Sequence, residues 1–97
     1  MKETYTLHPI AMTKGRTLWG NLVTGEGTSK LDAYPGFTQT ARTKETYTAI
    51  YKDQTTITIT HPNNITLESN AAEDIYEAKN QLVQICNEKT TPIILQK

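Results

Sequence analysis

Cysteine is nearly absent: Cys86 stands alone in 97 residues, so no internal disulfide can form. The stapled framework of small secreted domains is excluded, and a reducing, cytoplasmic setting is expected. Long hydrophobic runs are missing as well. The longest apolar stretches, such as Ile93–Leu95, reach three residues, against the ~20 that span a bilayer. The opening MKETYTLHPI has no apolar core of the kind a signal peptide needs. With Met1 first and no tag, the chain reads as a complete short protein with no membrane partner. An excess of either charge is also lacking, with ten Lys and Arg against ten Asp and Glu. Hydrophobic residues make up only 36%, so the core should be thin. One domain spanning 1–97 is all that so short a chain can close.

Threonine, by contrast, is abundant, at eighteen positions. Its β-branch suits a pleated strand while its hydroxyl keeps an outer face wet. Strands with one solvated face belong to antiparallel sheets. The expected fold is therefore α+β: an antiparallel sheet of about five to six Thr-rich strands, packed against one C-terminal amphipathic helix, with a short final edge strand.

Residues 1–60 read as the strand-rich part. Strands are expected at Thr4–Leu7, Arg16–Val23, Phe37–Thr43, Glu45–Lys52 and Thr55–Thr60, followed by a short extended piece at 65–67. In Arg16–Val23, Leu18 and Leu22 share one face and Trp19 and Val23 the other. Tyr47, Ala49 and Tyr51 alternate with polar residues, and Ile57 and Ile59 alternate with threonines. This is the direct signature of half-buried strands joined by a tight reversal at 52–54. Residues 24–36 carry Gly25, Gly27, Pro35 and Gly36 and read as a long loop ending in a type II Pro-Gly turn. The helix is expected at Ala71–Lys89, capped by Asn70 with Glu73 three residues on. Ile75, Ala78, Leu82, Ile85 and Cys86 form its apolar stripe, and residues 93–96 return as the edge strand. A five-residue repeat, Lys2–Thr6 and Lys44–Thr48 (KETYT), has two readings: chance in a Thr-rich chain, or two strands in equivalent places.

Tests for chemistry exclude more than they find. Gly20–Gly27 resembles a phosphate-binding loop, but Glu26 occupies the position that needs lysine and would repel phosphate. Cys86 lies on the helix's apolar stripe, where a thiol behaves as a small hydrophobe rather than a nucleophile. His8 and His61, each preceding a proline, do not supply metal-ligand spacing with it. The acidic first helical turn (Glu73, Asp74, Glu77) is accounted for by the helix dipole. No cofactor is implied.

Recognition remains. The expected function is a small non-enzymatic binding protein acting on a protein partner as regulator, inhibitor or assembly accessory. Lys30, Asp32 and Tyr34 of the long loop are its candidate contacts, and an exposed edge strand offers a route to a homodimer. Lys30 and Asp32 are also the only foothold for an enzymatic reading. The alternative is single-stranded nucleic acid. Residues 14–52 hold six basic side chains (Lys14, Arg16, Lys30, Arg42, Lys44, Lys52) against three acidic (Glu26, Asp32, Glu45), a net +3. Arg16, Arg42, Lys44 and Lys52 alternate there with Trp19, Tyr47 and Tyr51, the mixture that stacks bases and neutralises phosphates. Phe37 joins these aromatics. The competing reading makes them core, since seven aromatics in all leave few to spare for the surface.

Overall fold

The computed structural model describes residues 1–7, 17–23, 29–87 and 95–96. Six strands form one antiparallel sheet: β1 (Lys2–Leu7), β2 (Phe37–Arg42), β3 (Thr46–Tyr51), β4 (Thr55–Thr60), β5 (Asn64–Glu68) and β6 (Leu95–Gln96). Their spatial order is β2-β3-β4-β5-β1-β6. Helix α1 (Leu18–Leu22), a 3-10 turn (Lys30–Ala33) and helix α2 (Ala72–Asn87) complete the described elements. The α+β class follows from this arrangement.

Strand alternation sorts the sheet into two faces. Tyr5, Tyr47, Ala49, Tyr51, Ile57, Ile59, Ile65 and Leu67 are buried together with Ile75, Ala78, Leu82, Ile85 and Cys86 of α2. Leu18, Leu22, Val23 and Leu31 close the same core from α1 and the 3-10 turn. On the opposite face no position whose burial is described is buried, and threonines line it: Thr4, Thr66, Thr58 and Thr48 form one cross-strand row. Hydroxyls of adjacent strands meet there, Thr4 Oγ1 lying 3.2 Å from Thr66 Oγ1.

The KETYT repeat has a structural counterpart. Tyr5 pairs with Ile65, Ile65 with Ile59, and Ile59 with Tyr47. Both tyrosines thus lie in one row, flanking the two central isoleucines. Each hydroxyl donates to a carboxylate, Tyr5 to Glu3 at 2.7 Å and Tyr47 to Asp32 at 2.8 Å. The two copies thus lie at the second strand from either edge of the described sheet, whatever the origin of the repeat.

Several expectations need correction. The strand expected over Arg16–Val23 is instead helix α1 at Leu18–Leu22; Arg16 lies outside the described residues. Thr17 caps the helix, its hydroxyl accepting from Gly20 N at 2.8 Å. The turn after β4 supplies two further acceptors: Asn63 Oδ1 takes Leu18 N at 3.1 Å and Pro62 O takes Trp19 N at 3.0 Å. These contacts satisfy donors that a five-residue helix cannot satisfy itself.

Within the expected 24–36 loop Lys30–Ala33 form the 3-10 turn, while residues 24–28 lie outside the described residues. Its Pro-Gly turn is present, with Gly36 at φ +93°. A Cβ there would be strained by that φ and would come within 3.1 Å of the Tyr51 ring, which would have to shift by a few tenths of an ångström. At the start of α2 the side chain engaged is Ser69 rather than Asn70. Ser69 Oγ accepts from Ala71 N at 3.4 Å and donates to Asp74 Oδ2 at 3.1 Å. The extended piece at 65–67 is the full interior strand β5. The final strand is described at Leu95–Gln96, paired with β1.

Candidate functional site

The sheet's β2 edge is where backbone, bulge and a polar cluster converge. Lys52 N donates to Gly36 O at 2.8 Å, which makes 36 and 52 a hydrogen-bonded pair. Antiparallel ladders alternate, so Thr38 bonds inward to Ile50 while Phe37 and Gln39 turn N–H and C=O away from β3. Among the described residues no strand pairs on that outer side. Thr38, Gln39, Thr40 and Ala41 are all exposed.

A bulge then interrupts the register between Gln39 and Ala41. Strict alternation would send Arg42 to the threonine face; the extra residue returns it to the core side, opposite Tyr47. Arg42 Nη1 there donates to Ser29 Oγ at 3.0 Å, and Ser29 Oγ lies 3.4 Å from Gln39 Oε1. Ser29 N in turn donates to Asp32 Oδ2 at 3.1 Å. Two side chains of the edge strand thus hold the 3-10 turn, and its Asp32 holds Tyr47.

Burial, then the bond to Asp32 and its negative charge, push the Tyr47 hydroxyl far above the ordinary tyrosine range, with Arg42 opposing. A phenol this hard to ionise stays protonated and keeps its donor for Asp32. Tyr5 is pushed up to about 12, by burial first and then by Glu3.

The three expected loop contacts are neighbours here, with different duties. Lys30 Nζ donates to Gly20 O at 2.8 Å, tying the 3-10 turn to α1. Asp32 accepts from both Ser29 and Tyr47. Tyr34, half-buried against the core, ends the 3-10 turn and leads through Pro35-Gly36 into β2.

The nucleic-acid set is not brought onto one surface. Tyr47 and Tyr51 are core residues, as is Phe37, whose ring centroid lies 4.6 Å from that of Tyr51. Trp19 sits on α1 with its ring edge-on to His61 at 5.6 Å. Lys44 occupies the β2–β3 turn and Lys52 the β3–β4 turn, beyond opposite ends of β3, whose own residues span ~17 Å by strand rise. Lys52 is occupied by Glu77 at 2.7 Å, an exposed ion pair that also raises its pKa. Arg42 is engaged with Ser29. Arg16 and His8 lie outside the described residues.

Among the described residues no group of three or more His, Cys, Asp or Glu could hold a metal ion. No described helix is long and apolar enough to cross a membrane. No family model matches the chain, and no curated protein or solved structure matches it either.

Proposed function

We propose that this chain is a small, non-enzymatic binding protein whose β2 edge takes up an extended segment of a protein partner, as a regulator, inhibitor or assembly accessory. One observation supports this most: the outermost strand turns the backbone groups of Phe37 and Gln39 outward while its inner side is fastened to Ser29. Strand addition draws affinity from main-chain hydrogen bonds. It therefore needs an edge that is both open and held still. A second copy of the chain would use the same mode as a homodimer. Cys86, buried and the sequence's single cysteine, suits the reducing, cytoplasmic setting in which such a partner would be met.

The test is Gln39→Pro. Proline removes an outward N–H and the Gln39–Ser29 contact but no bond to β3, and edge strands tolerate it; Gln39→Ala loses the same contact and keeps the N–H. Capture of a protein partner from host lysate should be lost by Gln39→Pro and kept by Gln39→Ala, while the two variants share one circular dichroism spectrum and one melting midpoint. Capture that survives Gln39→Pro but disappears with nuclease would replace this reading with nucleic-acid binding.

A further inference from the structure

The two strands behind β2 carry a property that edge binding does not use. Thr46–Tyr51 (TYTAIY) and Thr55–Thr60 (TTITIT) are six residues each. Neither contains a charge, a proline or a glycine, and every residue but Ala49 is β-branched or aromatic. Between them only Lys52 and Asp53 are charged; they cancel, and both sit in the turn. Six-residue segments of this kind are the signature of cross-β stacking. In the native sheet β3 lies between β2 and β4, and β4 between β3 and β5.

We propose that the β3–β4 hairpin is a latent self-association element whose partner is a second copy of this chain, and that β2 is its cover. Protection is unequal on the two sides. Three strands, β5, β1 and β6, separate β4 from one edge of the sheet, while β2 alone separates β3 from the other. Among the described residues β2 has a single neighbouring strand, a bulge that breaks its ladder, and two side-chain ties to Ser29. Its release frees the backbone groups of Ile50 and Thr48, which pair with Thr38 and Ala41. The uncovered strand is uncharged along its whole length, so nothing in it repels an identical strand. Copies stacked in register would align Ile on Ile and Tyr on Tyr, with Lys52 and Asp53 outside the stack.

The test uses the full chain with Gln39→Ala and Arg42→Ala combined, which removes both ties, and the parent chain in a urea series below its main transition. Amide exchange at Thr48 and Ile50 reports release of β2. Wherever those amides open, seedable fibres should form, with a 4.7–4.8 Å meridional spacing and a protease-resistant core within residues 46–60. Adding Thr58→Lys, a charge on the unburied face of β4, should slow their growth at least tenfold. Open amides without fibres would overturn the proposal. So would a resistant core elsewhere, or growth indifferent to Thr58→Lys.

Discussion

Tyr47→Phe tests how the 3-10 turn is held against the sheet. The ring is fully buried and fills the same space as phenylalanine, so the substitution removes one hydroxyl and little packing. That hydroxyl donates to Asp32 Oδ1 at 2.8 Å. Hydrogen bonds to charged groups contribute ~1.5–3 kcal/mol. Asp32 is exposed, so water can replace the lost donor, and the expected loss is near the lower end, about 1.5 kcal/mol.

A pH signature reports the hydroxyl itself, whose burial contributes most and its bond to Asp32 next. Unfolded tyrosine ionises near pH ~10, whereas the folded Tyr47 hydroxyl is held well above that by burial and Asp32. A raised folded pKa means the contribution is complete below the unfolded value and is lost as pH rises through the folded one. Above pH ~10 the unfolded chain binds fewer protons than the native state, so stability falls with pH. Urea unfolding of parent and variant between pH 7 and 11 should show the parent falling more steeply above 10, the difference approaching one proton. Tyr5, pushed up to about 12, contributes to both and cancels in the comparison. A loss under ~0.5 kcal/mol with parallel pH profiles would refute the bond between Asp32 and the buried ring.

Three further outcomes follow from the packing. Leu82→Asp places a carboxylate in the sheet–helix core, where Leu82 is 1% exposed; a cost of several kcal/mol should leave a chain that no longer melts cooperatively by calorimetry. Cys86, fully buried, should resist thiol reagents until denaturant is added, whereas rapid native labelling would place it at the surface. Lys52 and Asp53 both hold positive φ, 51° and 58°, at a cost of roughly 1–2 kcal/mol per residue; Asp53→Gly should raise the urea midpoint and leave the Lys52–Glu77 pair in place.

The parts of this fold legible in the sequence were those with a long, unambiguous period. Ile57 and Ile59 between threonines, and Tyr47, Ala49 and Tyr51, specify β3 and β4 because only a strand buries every second residue. The stripe from Ile75 to Cys86 specifies α2 in the same way. Helix α1 was misread because Leu18/Leu22 and Trp19/Val23 are four apart, a spacing that brings residues to one face of a strand and of a helix alike. The two periods diverge at i+2, but Gly20 and Asn21 stand there without a large apolar side chain and leave little to decide between them. Thr17 three residues before Gly20 was the available sign of a cap.

The candidate site was only partly legible. Ser29-Lys-Leu-Asp32 has the form of a capping box, and that pattern could have ordered the stretch before Tyr34. The position of Arg42 could not be read, because it depends on a bulge that nothing in Thr38–Ala41 announces. The row shared by Tyr5 and Tyr47 depends on the register of four strands, of which β1 is distant in sequence from the other three. Periodicity also places Tyr47 and Tyr51 on one face without saying whether that face meets α2 or solvent.

The most direct test of the β2 edge is amide hydrogen exchange at Phe37 and Gln39, in the free chain and in complex with whatever protein Gln39→Pro fails to capture. Both amides should exchange rapidly in the free chain, while that of Thr38, bonded to β3, exchanges slowly. On binding, Phe37 and Gln39 should become as protected as Thr38. Protection already present in the free chain, or exchange at both amides unchanged in the complex, would contradict strand addition at β2.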